Sequence, residues 1–215
     1  MFIGHFAVGF ALKKTEPRLP LGIWLVAAMF LDILWPVFLL LGIEKVAIVP
    51  GITRVMPLDL INLDWSHSLA MAVLWAILFG AVVFAFVRSR NAFIFGALAV
   101  LSHWLLDYAT HRADMPLAPH SARYGLELWN SLAGTLIVEL GLFFLSVFIY
   151  TRGVTAHGKR GWLALVLFVV FLVAMYMMSV FGPPPPNNPT VIAISSLVLI
   201  PIVIPWANWV DGKIH

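Results

Sequence analysis

The chain has 215 residues, 62% of them hydrophobic and 11% charged, with a formal net charge of +3. A soluble domain is nearer half apolar and a quarter charged, so the composition excludes an ordinary soluble fold and predicts one compact polytopic membrane bundle. The excess Lys and Arg sit in short loops with no basic stripe, which argues against nucleic acid as a partner, and the absence of Cys excludes disulfides and thiolate zinc sites.

In chain order, the apolar run from Phe2 to Leu12 comes first and Lys13-Lys14 follow it. A cleavable signal has its positive charges before the apolar stretch. The observed order predicts a short first helix with its amino end outside, either a half-helix packed on the bundle or a crossing in a thinned or tilted arrangement. A span needs about 20 apolar residues, and such spans are expected at 20–42, 66–87, 91–110, 131–151, 161–181 and 190–210. The expected fold is therefore all-α, a transmembrane helical bundle with six full spans plus the short amino-terminal helix. Residues 1–215 form a single domain in this reading, with a metal-site core at 1–151 and an accessory helix pair at 161–210.

Orientation follows from Lys and Arg, which favour the cytoplasmic side. With the 13–19 loop inside, Lys13, Lys14, Arg18, Arg88, Arg90, Arg152, Lys159, Arg160 and Lys213 all fall inside, and Lys45, Arg54, Arg112 and Arg123 outside. That bias predicts a multi-pass membrane protein with a cytoplasmic carboxyl terminus. Trp24, Trp162 and Trp209 are expected as inner-surface anchors and Trp65 and Trp129 as outer ones. The loops 43–65 and 111–130 are long and polar enough to cap the outer face. The loop from Gly182 to Pro189 is nearly all Pro and Asn, a stiff spacer.

The chemistry lies in six residues at one expected depth: His5, Asp32, His67, His103, Asp107 and His111. An Asp near a membrane-helix centre costs roughly 2.5–3.5 kcal/mol on insertion scales, so several such groups at one level predict something there that binds them, and a metal ion is the simplest candidate. His103 and Asp107 are four apart and share a helix face, about 6 Å apart in rise. The bland alternative is hydrogen bonding to neighbouring helices. Ser66 reads as the N-cap of a helix that holds His67 in its first turn. Asp32 precedes Pro36, which removes the amide that would bond the Asp32 carbonyl and predicts a kink. Gly9 permits close helix approach that would press His5 inward. Glu139 reads equally as a general base, a partner for a ligating His or a paired structural carboxylate, and Asn130 as a helix N-cap. Ser66, Ser68 and Ser102 neighbour histidines, but no nucleophile-elbow pattern surrounds them.

These stretches together resemble a family of bacterial integral-membrane proteins described as metal-dependent hydrolases. The likeness is carried by Leu31-Asp32-Ile33-Leu34-Trp35-Pro36, Trp65-Ser66-His67-Ser68-Leu69, Ser102-His103-Trp104-Leu105-Leu106-Asp107 through His111-Arg112, and Leu128-Trp129-Asn130-Ser131. A more distant likeness is to zinc-dependent phospholipases C, whose ligand order is matched by His5, Asp32, His67 and His103 with Asp107. That resemblance implies that Asp107 bridges two ions, that Asp32, His67 and His103 complete one, and that His5 belongs to the other. The phospholipases begin with a ligating Trp, and here residue 1 is Met.

The expected function is metal-assisted hydrolysis at the outer leaflet, with one or two zinc ions, Asp64 or Glu139 as proton acceptor, and a lipid or lipid-linked ester or phosphoester as substrate. A proton- or metal-coupled transporter is the rival, since buried Asp and His also build ion paths, although these groups cluster in one half of the membrane. A non-catalytic assembly subunit is the third reading. In it the segments 161–181 and 190–210, which carry no acidic, basic or imidazole side chain, face lipid, a second copy or a membrane partner.

Overall fold

The computed structural model describes residues 1–152 and 159–214. Its α-helices are α1 (Ile3–Leu12), α2 (Leu21–Ala28), α3 (Phe30–Leu40), α4 (Leu69–Val87), α5 (Arg90–Thr110), α6 (Leu132–Thr151), α7 (Lys159–Phe181) and α8 (Pro189–Ile214). The helices α4 to α8 are each long and apolar enough to cross a membrane, and α2 with α3 passes the same test as one bent span. The expected all-α bundle with a short first helix is therefore the fold, with five candidate spans, or six when the bent α2–α3 pair counts as one.

The helix α1 is about 15 Å long at 1.5 Å per residue, half of a hydrocarbon core of about 30 Å. It lies inside the protein: Ile3, Gly4, His5, Phe6, Ala7, Gly9 and Phe10 are all buried. It packs on α2, α5, α6 and α7. Gly9 makes the α2 contact close, since a Cβ there would stand 2.6 Å from Leu25 Cδ2 and 3.1 Å from Leu25 Cα. Phe6 and Phe10 extend this core to Phe143, Tyr150 and Phe168 of the flanking spans.

The segment expected as one span at 20–42 is broken. Its two helices meet at 58°, and the break falls at Met29 (φ −96°, ψ 8°) rather than at Pro36, which sits inside α3. The carbonyl of Ala28 at the break accepts a hydrogen bond from His103 Nδ1 of α5 at 2.8 Å. A side chain from another helix thus binds backbone that the turn exposes, a cause of bending recognised in long helices. The break also makes Asp32 a residue of the first turn of α3, where the helix dipole favours a carboxylate.

Two further local expectations are corrected. The helix α4 begins at Leu69 with Ser68 as its N-cap, accepting from Met71 N, so His67 lies in the turn before the helix and Ser66 is not the cap. Likewise Ser131, not Asn130, caps α6 by accepting from Gly134 N, while Asn130 donates to Glu127. In both cases a Ser one or two residues downstream takes the capping role, and the chosen residue is engaged by its own loop. Trp24 and Trp129 are buried and pack within the protein, unlike the exposed Trp162, Trp209 and Trp65, so only these three sit where interfacial anchors would.

At the end of the bundle that carries the Asp/His cluster, the two long loops form small antiparallel hairpins, β1 (Lys45–Ile48) with β2 (Leu58–Asn62) and β3 (Met115–Pro116) with β4 (Arg123–Tyr124). They interlock: Arg112 Nη2 meets Asp59 Oδ1 at 2.6 Å, Arg123 Nη1 donates to the Ile61 carbonyl at 2.7 Å, and Arg54 N donates to the Trp129 carbonyl. The result is a cap over the ends of α1, α3 and α5.

The opposite end is held by two ion pairs. Buried Lys13 donates to the carbonyls of Pro17 and Leu19 and meets Asp211 Oδ2 at 3.1 Å, and Asp211 also accepts from Leu21 N and the Tyr150 hydroxyl. This fastens α8 and α6 to the start of α2. Glu16 takes the Arg18 guanidinium in a forked pair at 2.7 and 2.8 Å and accepts from Ser89, the N-cap of α5. Arg18 first, then the Ser89 hydroxyl, holds the Glu16 carboxyl down at about 2, against an ordinary 4.5. A depressed carboxylate contributes stability that is complete above its unfolded value and lost as pH falls through its folded value. Wild-type thermal stability in detergent is therefore expected to fall between pH 4.5 and 2 by more than that of Glu16→Gln. Parallel curves for the two proteins over that range would remove the forked pair from the account.

Candidate metal centre

Four separate chain segments contribute polar side chains to one cluster around Asp107. His5 comes from α1, Asp32 from the first turn of α3, His67 from the turn before α4, His103 and Asp107 from one face of α5, and His111 from the α5 C-cap. His5, His103, Asp107 and His111 are at most 4% exposed, and His67 is 3%. All six side chains expected to converge do so.

Asp107 has two distinct faces. Its Oδ2 stands 3.1 Å from His103 Nε2 and 3.6 Å from His67 Nε2. Its Oδ1 stands 3.0 Å from His5 Nε2 and 3.5 Å from His111 Nε2, and it also accepts a hydrogen bond from the Met1 α-ammonium. Asp32 closes the first side, with Oδ1 at 3.5 Å from His67 Nε2 and 3.7 Å from His103 Nε2. Two three-residue sets therefore have ligand atoms within 4.8 Å of one another, His5 with His103 and Asp107, and Asp32 with His67 and His103. The rings of His5 and His103 stack at 3.6 Å with 4° between their planes.

The tautomers of three histidines follow from their outer nitrogens. His103 Nδ1 faces the Ala28 carbonyl, which only accepts, so that nitrogen carries the hydrogen. His111 Nδ1 faces the Asp114 carboxylate at 3.0 Å, with the same consequence. Ser66 stands between His67 Nδ1 at 2.7 Å and Glu44 Oε2 at 2.6 Å. The Glu44 carboxylate takes the one Ser66 hydroxyl hydrogen, so Ser66 Oγ accepts from His67 Nδ1. Each of the three rings, when neutral, then presents the lone pair of Nε2 to a carboxylate oxygen. Lone pair facing lone pair is repulsive unless a proton or a cation lies between them. Most of these separations exceed the 2.7–3.2 Å of an N–H···O bond. They match the roughly 3.3 Å between ligand atoms of a tetrahedral zinc with bonds of about 2.0–2.2 Å. His103 Nε2 is buried without a hydrogen-bond partner among the described residues. His5 is the exception in tautomer, because its unpartnered buried nitrogen is Nδ1. The donor set, imidazole with carboxylate, suits a divalent ion such as zinc.

The residues that support these rings were not singled out in the sequence. Glu44 lies at the end of α3's loop, is 2% exposed, and also accepts from the Trp65 and Ser66 amides at 2.9 and 2.8 Å. No spacing rule links it to His67, since the contact depends on how the first hairpin folds back. Asp114 was readable in principle, three residues after His111. Trp129 covers the His111 ring at 4.2 Å.

The two carboxylates expected as proton acceptors sit apart from the ring of ligands. Asp64 is 2% exposed and meets His120 Nδ1 at 3.0 Å and Arg123 Nη2 at 3.8 Å. Glu139 accepts from the amides of Phe2 at 2.9 Å and Gly4 at 3.3 Å, which places it at the amino end of α1 beside His5.

A cavity of about 250 Å³ adjoins the cluster. Asp32, His67, Asp107 and His111 form its polar end, and Phe171 and Met175 of α7 with Leu199 and Ile200 of α8 form apolar wall. Asp32 keeps 32% side-chain exposure through this opening, while Asp107 keeps 2%.

Removing one partner from a buried charge pair costs about 3–5 kcal/mol. Asp107→Asn leaves the Met1 α-ammonium and four imidazoles without their common carboxylate, and a loss of that size is expected in thermal or denaturant unfolding in detergent. An unchanged midpoint would show that Asp107 is not the counter-charge of the cluster.

Searches of curated proteins and of solved structures gave no match. A family model described as "YdjM inner membrane protein" matches residues 1–182, from α1 through α7 and including every residue of the cluster. The chain belongs to the YdjM inner membrane protein family, and its apolar spans agree with a multi-pass protein of the inner membrane.

Proposed function

We propose that this protein is a membrane-embedded metal-dependent hydrolase acting on a lipid or lipid-linked ester or phosphoester. The observation that carries the reading is the convergence of four imidazole Nε2 atoms on the two oxygens of one buried carboxylate. On one side Asp32, His67 and His103 would hold an ion with Asp107 Oδ2, and on the other His5 and His111 would hold a second with Asp107 Oδ1. Asp107 would then bridge the two, in the ligand order that the phospholipase C likeness implies. With no Cys in the chain, zinc bound by His and carboxylate fits a hydrolytic site better than a structural one. When bound, such an ion lowers the pKa of its water toward about 7 and polarises a substrate oxygen.

The protein's own residues do the rest. Ala28 O, the Ser66–Glu44 pair and Asp114 fix three ring orientations, the role that outer partners of ligating histidines play. The cap formed by the two hairpins limits water access. Of the two candidate proton acceptors, Glu139 is favoured, because Asp64 is committed to His120 and Arg123 while Glu139 lies beside His5. The substrate class rests on the cavity, whose polar end is the cluster and whose walls are transmembrane helices. The bias of Lys and Arg supports a cluster at the outer leaflet and a cytoplasmic carboxyl terminus.

Metal analysis of gently purified protein tests the centre. Near-stoichiometric zinc is expected in the wild type, with depletion in His103→Ala and Asp107→Asn. Glu44→Gln and Ser66→Ala are expected to weaken binding by roughly 10–100-fold, the usual effect of losing an outer partner. Wild-type protein without metal, or variants with undiminished metal, would defeat the reading. Orientation is tested by labelling Pro185→Cys and Lys159→Cys in intact spheroplasts with an impermeant maleimide. Modification of the first alone is expected, and modification of the second alone would invert the topology.

A further inference from the structure

The cavity beside the cluster is almost wholly apolar away from its polar end. Its wall on α8 runs from Ile192 to Ile204, roughly 18 Å along a helix. The facing wall comes from Phe171 and Met175 of α7 and Ile33 of α3. Ser196 lies on the α8 wall, and its hydroxyl is already spent on the Ile192 carbonyl of its own helix. An apolar space of this kind does not hold water well, because water needs several polar partners. Inorganic phosphate would use the polar end and leave the apolar length empty. A hydrocarbon chain suits the lining, and the surrounding membrane supplies such chains.

A second observation points to a ligand at the head of this space. Trp35 lines the cavity one helical turn after Asp32, is 8% exposed, and its indole Nε1–H is buried without a hydrogen-bond partner among the described residues. Buried Trp N–H groups ordinarily find an acceptor. No acceptor among the described residues takes this hydrogen, so an acceptor brought in by a ligand is the natural partner.

We infer that this cavity binds a single-chain portion of a membrane amphiphile, with its hydrocarbon tail along α7 and α8 and an anionic head-group oxygen on Trp35 Nε1–H beside the Asp/His cluster. The inference deepens the hydrolase reading and rests on it for the phosphoester or ester nature of the head. It also gives α7 and α8 a part in the site, where the sequence suggested an accessory pair. Their inner faces line the tail space, and their outer faces, with Leu163 and Val198, remain exposed.

The test uses the full chain in detergent or nanodiscs and a lysophosphatidic acid with a diazirine at the end of its acyl chain. After irradiation, peptide mapping is expected to place adducts within Phe171–Met175 and Ser196–Ile204. Unlabelled lysophosphatidic acid should suppress them and inorganic phosphate should not. Ser196→Trp, or Leu199→Trp if the first fails to fold, should reduce adducts in both segments to background. Trp35→Phe should raise the competing concentration roughly tenfold or more, the effect of losing one hydrogen bond to a charged group. Adducts spread over outward residues such as Phe144 and Leu163, unaltered by filling the cavity, would overturn the tail site. An unchanged competition curve for Trp35→Phe would overturn the head contact. Labelling needs no turnover, and metal content is measured on the same preparations. Tail labelling without metal would therefore sink the hydrolase reading alone, and bound metal without tail labelling would sink this inference alone.

Discussion

A carboxylate with almost no access to water must be compensated by the protein around it, and Asp107 imposes that condition on most of the bundle. It is 1% exposed on a helix that crosses a membrane. Burying an ionised group without partners costs far more than folding can spare, so its neighbours are not optional. Four imidazoles and the Met1 α-ammonium answer the requirement, and they arrive from the amino-terminal stretch, from the turn before α4 and from α5 itself. The placement of α1 inside the bundle follows from it. A ten-residue apolar helix has no need to be central, but His5 and the amino terminus reach Asp107 only from there. Glu139 secures the same end by accepting the Phe2 and Gly4 amides.

The same condition explains the broken span. A straight helix from residue 20 to 42 would engage the Ala28 carbonyl within its own ladder. The bend at Met29 offers that carbonyl to His103 and turns Asp32 into a first-turn residue pointing at the cluster. One irregularity thus fixes a tautomer, favours a carboxylate through the helix dipole, and opens the wall along which the cavity runs. The hairpin cap works in parallel from the loop side, because Glu44 reaches His67 through Ser66 only when the first long loop folds back over α4. Ring orientation in the cluster is therefore set by backbone, by a loop carboxylate and by Asp114, three sources with no common position in the chain.

The bundle divides its polar groups between its two ends. One end holds the Asp/His cluster under a cap of hairpins. The other holds Lys13 with Asp211 and Glu16 with Arg18, simple pairs that fasten loops and the last helix. Between them the interior is aromatic and aliphatic, with Phe10, Phe143, Tyr150 and Phe168 in contact. The buried Asp/His cluster thus lies at one end of the bundle and the fastening ion pairs at the other.

The amino-acid sequence alone determined the class of the molecule, its long apolar helices and the short first helix, because apolar length and the scarcity of charge have few other solutions in water or lipid. It also determined which six side chains would meet, since each is too costly to leave alone in an apolar segment. Tertiary structure decided what local pattern could not reach. Ser68 and Ser131 took the caps that Ser66 and Asn130 seemed to offer, because those two were drawn into loop contacts. The break fell at Met29 rather than Pro36, because a histidine 75 residues away binds the exposed carbonyl. Glu44 became a partner of His67, and α7 and α8 became cavity walls, through contacts between segments far apart in the chain. Helical periodicity and burial cost are local or compositional quantities, whereas the partner of a freed backbone group depends on which distant segment folds beside it.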